Sequence, residues 1–194
     1  MPPSPFVPEP VVRQRRRDTP SPADGMTLIE LLVTLAVAAI VVALGAPSFM
    51  RVLARHAIAA QAEELQDAVR MGRTEAMRRS GPAVLCRTEA ADAGHCAGSG
   101  GSWQTWLLFA DTDRNGTFNA GDSLLREHLE ASRRMTVSSD AASIRFEATG
   151  IAHSEAGNTT IVLSPNDGDR AQQRQVCVNT RGEVVVIAGD AACP

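Results

Sequence analysis

The stretch from Met26 to Ala46 is 21 residues long and carries a single charge, Glu30. At a rise of ~1.5 Å per residue, a helix of that length spans about 31 Å, the hydrocarbon thickness of a bilayer. A carboxylate five residues into such a segment is costly in lipid, which makes Glu30 a candidate functional residue. Upstream lie Gly25 and a polar leader containing Arg13, Arg15, Arg16 and Arg17. Positive charge of this kind holds its end of a span in the cytoplasm, so everything beyond Ala46 is expected outside it.

The order Gly25-Met26-Thr27-Leu28-Ile29-Glu30, followed by an uninterrupted apolar run, resembles the type IV prepilin signal. That resemblance implies cleavage between Gly25 and Met26 by prepilin peptidase and N-methylation of Met26. It further implies that Glu30 meets the new amino terminus of a neighbouring subunit during assembly. Two residues depart from the usual pattern: Met26 replaces the commoner Phe, and Asp24 precedes the Gly.

Beyond the span, Pro47 is expected to bend the helix near Ala43 to Ala46, because it removes one backbone hydrogen bond. Helical periodicity then resumes. Ile58, Ala62, Leu65, Val69, Gly72 and Ala76 alternate in spacings of four and three, which sets them on one stripe. Arg55, Gln61, Glu64, Asp67, Arg70 and Arg78 are expected on the opposite face. Gly81-Pro82 should end the helix near Ser80.

Short extended runs follow. Strands are expected at 83–86, 103–109, 124–129, 135–137, 143–146, 159–163, 175–179 and 183–187, with 91–101 as a Gly-rich loop. Thr180-Arg181-Gly182 reads as a hairpin connection. One long helix followed only by strands implies an α+β protein, its helix packed on an antiparallel β-rich globular head. The expected organisation is a cleaved leader over 1–25, a transmembrane helix over 26–46, an amphipathic continuation over 47–80 and a head over 81–194. The leader, with seven Pro among residues 1–24, is expected to be disordered before removal.

A second resemblance narrows the family. Ala46-Pro47-Ser48-Phe49, Gly72-Arg73-Thr74-Glu75-Ala76-Met77-Arg78-Arg79 and Trp106-Leu107-Leu108-Phe109-Ala110-Asp111 occur in the order seen in the GspH/FimT group. These are minor pseudopilins of type II secretion and minor pilins of type IV pili. The resemblance covers most of Gly25 to Leu125. It implies a pilin-like fold, inner-membrane anchoring with a periplasmic head, and assembly into a pseudopilus or pilus. Its implied partners are other pilins, prepilin peptidase and the inner-membrane assembly platform.

All four cysteines, Cys86, Cys96, Cys177 and Cys193, follow the span, where an oxidising compartment lets them pair. Three pairings are open to four cysteines, and sequence proximity favours Cys86 with Cys96 and Cys177 with Cys193. Zinc is the weaker reading, because no paired Cys-x-x-Cys knuckles occur and His95 stands alone. The presence of two pairs leans toward FimT-type minor pilins.

Three further chemistries bear on the head. Asp111, Asp113, Asn115 and Asp122 fall where a twelve-residue calcium loop places oxygen ligands, with Gly116 at the sixth position. Asp122 replaces the usual Glu and the segment follows a strand, so a plain turn between strands is the stronger reading and no cofactor is assigned. Some FimT-type minor pilins bind incoming DNA through C-terminal basic residues, and Arg170, Arg174 and Arg181 are the counterparts here. The formal charge of the chain is -3, and Glu183 stands where a second Arg would be needed, so DNA binding is the alternative to a structural role. His56, His95, His128 and His153 are scattered and no nucleophile motif is present, which argues against an enzyme.

Overall fold

The computed structural model describes residues 25–89, 95–98, 101–129 and 132–194. The leader over 1–24 and most of the expected Gly-rich loop lie outside the described residues. The chain divides into two compact units, Met1–Leu44 and Gly45–Pro194, and helix α1 (Leu28–Arg79) contributes to both. The helix runs through Pro47 without interruption.

Helix α1 ends as its sequence dictates, with one exchange of roles. The N–H of Gly81 donates to the carbonyl of Ala76 at 3.2 Å, and that of Ser80 to Met77 at 3.3 Å. This pair of bonds is the Schellman closure of a helix C-terminus. Its left-handed position is Ser80, at φ 52°, and not the glycine that follows. Pro82, with no N–H to offer, blocks any further turn.

Among the described residues, the head contains nine strands. β1 (Ala83–Arg87), β2 (Trp106–Ala110), β3 (Ser123–His128), β5 (Ser143–Phe146) and β6 (Ala152–His153) form one sheet in the order β3-β2-β1-β5-β6. β4 (Met135–Ser139), β7 (Thr159–Pro165), β8 (Arg174–Val178) and β9 (Val184–Ala188) form the second, in the order β4-β7-β8-β9. Every pairing is antiparallel. The two-residue β6 and a 3-10 turn at Arg170–Gln172 were not legible in the sequence, being too short to show a period.

Trp103 departs from expectation. It precedes β2 instead of opening it, donates its backbone N–H to Val137 at 2.9 Å and its indole Nε1–H to Ala141 at 2.7 Å. Ser102 bridges to Ser138 beside it, so this segment crosses toward the second sheet. A buried indole needs an acceptor, and the loop before β5 supplies one.

The helical stripe is buried as its spacing requires. Ile58, Ala62, Leu65, Val69, Gly72 and Ala76 all lie inside, packed with Leu85, Leu108, Phe146, Ile161, Leu163 and Val176 from both sheets. Gln61 corrects the polar-face assignment, being buried at 4% exposure. It sits three residues after Ile58 and four before Leu65, which is the seam itself.

β1 and β2 are buried on both faces. Val84, Cys86, Leu107 and Phe109 point away from α1 and form a second cluster, covered by Cys96 and Phe118. Two-sided burial explains why these strands read as continuous apolar runs without polar alternation.

Gly72 marks where α1 comes closest to the first sheet. A Cβ there would meet two ring carbons of Phe146 at 2.9 Å and a methyl of Leu108 at 3.0 Å. Gly72→Val should therefore destabilise the head by about 1–3 kcal/mol through overpacking. Urea unfolding of the detergent-solubilised chain, followed by Trp fluorescence, checks this.

Near the end of α1, Glu75 receives both Arg78 (2.6 Å) and Arg79 (2.8 Å). These bonds lower its carboxyl from 4.5 to about 2. A depressed folded value means the stabilisation is complete above pH 4.5 and is lost as pH falls toward about 2. Glu75→Gln should lower the melting temperature slightly at neutral pH and leave it unchanged near pH 2, so the acid limb across that window is flattened.

Candidate functional site

The N-terminal unit presents chemistry with no partner among the described residues. Thr27 caps α1: its Oγ1 accepts the N–H of Glu30 at 3.3 Å, and its carbonyl accepts Leu31 N–H at 3.2 Å. Thr27-Leu28-Ile29-Glu30 is the capping-box spacing, a signal in the sequence that identifies Thr27 as the residue fixing where the helix starts. Gly25 is open on all sides, with nothing within 4 Å of where a Cβ would stand. Met26 is 65% exposed.

The Glu30 side chain makes no hydrogen bond or ion pair among the described residues, and it stands on a stretch of α1, residues 28–44, whose apolar side chains are exposed. Leu28, Ile29, Leu32, Leu35, Ile40 and Leu44 are each more than half exposed. So much contiguous apolar surface must be covered by lipid or by other helices. In either setting a lone carboxylate needs a cation from outside its own chain.

The acidic loop joins β2 to β3, which is the strand connection favoured by its sequence. Ligand atoms of Asp111, Asp113 and Asp122 lie within 4.8 Å of one another. Their oxygens are already engaged from within the chain. Asp111 accepts Asn115 N–H (3.1 Å) and Gly116 N–H (3.0 Å) and pairs with Arg145 at 3.3 Å. Asp122 accepts Thr112 N–H (2.8 Å) and Asn119 N–H (3.0 Å). Asn115, the fourth sequence candidate, turns its Oδ1 to Thr117 at 2.7 Å. Burial pushes the Asp111 carboxyl up, against the Gly116 N–H and the Arg145 guanidinium. Phe118 then seats the loop on Phe109, with ring centroids 5.3 Å apart. A cation entering this loop would have to compete with Arg145. The Arg145 contact spans 34 residues of sequence and has no local signal.

The three C-terminal arginines are not gathered into a free cationic surface. Arg170 pairs with Asp190 at 3.5 Å, Arg174 donates to the carbonyl of Gln173 at 3.1 Å, and Arg181 pairs with Glu183 at 2.9 Å. Arg181 stands in the β8–β9 connection, where Gly182, at φ 71°, supplies the left-handed position.

Cys86 pairs with Cys96 and Cys177 with Cys193, at Cα separations of 5.5 and 5.7 Å. The first bridge covers the outer face of β1. The second draws the C-terminal tail back over β8, where Gln175 Nε2 donates to the carbonyls of Gly189 and Ala191, both at 2.9 Å. Loops of these lengths, separations of 10 and 16 residues, are each worth about 3 kcal/mol in unfolded-chain entropy. Cys177→Ser/Cys193→Ser should lower stability by about that amount and speed hydrogen exchange at Gly189 to Cys193. Exchange at β1 should stay unchanged, which a mass-spectrometric time course checks.

Comparison with known proteins joins the two units. The prokaryotic N-terminal methylation motif matches residues 21–46, and the model of the type II transport protein GspH matches residues 61–182. No curated protein matches the chain. Among solved structures, the type IV minor pilin FimU of Pseudomonas aeruginosa PAO1 is similar, with a TM-score of 0.52 at 18% identity. That match covers 69% of this chain and 90% of that one. The minor pseudopilin EpsH from the type 2 secretion system of Vibrio cholerae also matches, with a TM-score of 0.48 at 11% identity over 68% and 96% of the two chains. The FimU likeness shows a shared fold. With the GspH model matching well over half of its length, behind a methylation motif that takes in Gly25 and Glu30, this chain belongs to the GspH family.

Proposed function

We propose that this chain is a minor pilin or pseudopilin, a structural subunit that enters a type II secretion pseudopilus or a type IV pilus through its N-terminal helix. The observation that carries the proposal is the Glu30 carboxylate, without a partner among the described residues, on the apolar and exposed N-terminal stretch of α1. Alone in the membrane, that charge is held at a cost of up to about 3 kcal/mol, less toward the interface. Cleavage between Gly25 and Met26 creates a positive amine on each subunit. Pairing that amine with Glu30 of a neighbour neutralises two charges that lipid would leave stranded. The apolar helices then cover one another, and the heads remain outside.

In this reading prepilin peptidase cuts at the open Gly25, Met26 is methylated, and the head lies in the periplasm. The exposure of Gly25 and Met26 supports access by a processing enzyme. The alternative role as a DNA receptor finds no support in the relatives. Phosphate binding needs several cations acting together, and the arginines it would use have acceptors in their own chain.

Glu30→Ala should leave membrane insertion and the head's melting temperature unchanged while the protein disappears from sheared or cross-linked fibres. Secretion and twitching, scored in the same strain, would identify which machine loses its subunit. Glu30→Ala protein that enters fibres at the wild-type level would overturn the pairing step. A Gly25 substitution should instead retain the leader, read as a mass increase of residues 1–25.

A further inference from the structure

Four arginines of the head gather near the start of its part of α1. Arg51 and Arg55 are one turn apart on α1, and Arg133 and Arg134 lie in the connection before β4; all four are exposed. None forms a salt bridge among the described residues. Met50, Arg51, Arg133, Arg134 and Asp167 line one shallow groove of about 380 Å³. The connection is held in place by its backbone. Asn166 donates its side-chain N–H to the carbonyl of Arg133 at 2.7 Å and its backbone N–H to that of Arg134 at 3.3 Å.

Among the described residues, the acids near this patch are Asp167 in the groove, Asp169, whose charge Arg55 and Arg51 both reach, and Glu64, which lines a neighbouring hollow with Arg133 and Arg134. Glu64 is engaged by Arg126 and His128, so four cations face two remaining carboxylates among the described residues, a positive patch on a chain whose net charge is -3. Beside it Phe49 and Met50 are 63% and 53% exposed. Exposed apolar side chains followed by arginines, just past an apolar span, suit a membrane–water interface, where the arginine stems lie along apolar surface and their heads reach the headgroups.

Chain length fixes where this patch operates. Arg51 follows Leu44, the last residue of the N-terminal unit, by seven positions. Even fully extended, that segment reaches no more than about 25 Å.

We propose that the patch formed by Arg51, Arg55, Arg133 and Arg134 docks the head onto anionic lipid headgroups before the subunit is assembled. The inference rests on the membrane-anchored reading above. Docking of this kind holds the head down on the bilayer, and assembly into a fibre must release it. Each arginine near an anionic surface shifts the ratio of docked to lifted heads about fivefold, and salt screens the effect.

The test uses the full chain, labelled with a dye at Thr136→Cys and reconstituted in phosphatidylcholine nanodiscs with and without about one-third phosphatidylglycerol. Energy transfer to a headgroup-labelled lipid reports docking. Transfer should be higher in the anionic discs and fall to the neutral-disc level at high salt. Arg133→Ala/Arg134→Ala should remove the difference, while Arg133→Lys/Arg134→Lys keeps most of it. Melting temperatures of both variants establish that the head is intact. Equal transfer in the two lipids, with the chain firmly inserted in both, would overturn docking alone. Chain extracted from both membranes by alkali would overturn the anchor reading and docking with it. Alanine variants that keep the lipid difference but drop out of fibres would assign the patch to a neighbouring subunit and overturn the lipid proposal.

Discussion

The burial of one helical seam is the interaction on which the head depends. Ile58, Ala62, Leu65, Val69, Gly72 and Ala76 are small or branched, and together they let α1 approach both sheets at once. The inner faces of both sheets close against that helix. The smallness of Gly72 sets the separation from Phe146 and Leu108, so the position of the first sheet is decided by the absence of a side chain. Gln61 in the middle of this seam is the exception, with its Nε2 buried and lacking an acceptor.

The same helix changes function along its length because its surroundings change. Apart from Glu30 and Thr34, residues 28–44 are apolar all round, and among the described residues they bury nothing. Residues beyond Ile58 are apolar on one side only and bury that side. An isolated apolar helix gains little from its own sequence except length. Its single carboxylate therefore becomes the one group able to distinguish a correct neighbour from lipid.

Outside the core, the head is fastened by short-range closures. One cystine and the β2–β3 loop cover the outer face of β1 and β2, and the other cystine draws the tail onto β8. The acidic loop is closed by its own N–H donors and by Arg145, and Arg170 and Arg181 are each paired with an acid. Four arginines without a salt bridge among the described residues, Arg51, Arg55, Arg133 and Arg134, gather in the part of the head that follows the span most closely along α1.

Much of this was legible in the residues themselves. The span, the capped start at Thr27, the buried stripe, the stop before Pro82 and most strands follow from periodicity and from Gly and Pro, because these are local properties of the backbone. The methylation-type signal could be read for the same reason: its Gly, Thr and Glu act within two turns of one helix. Tertiary structure alone decided where long-range partners meet. It placed Trp103 on Ala141 and not in β2, drew Gln61 into the core, gave Asp111 a guanidinium from β5, and brought Arg51 on the helix beside Arg133 in a loop. Those contacts join residues 34 to 82 positions apart, and no spacing in the sequence records them. They are fixed only when the helix and both sheets pack and exclude water from between them.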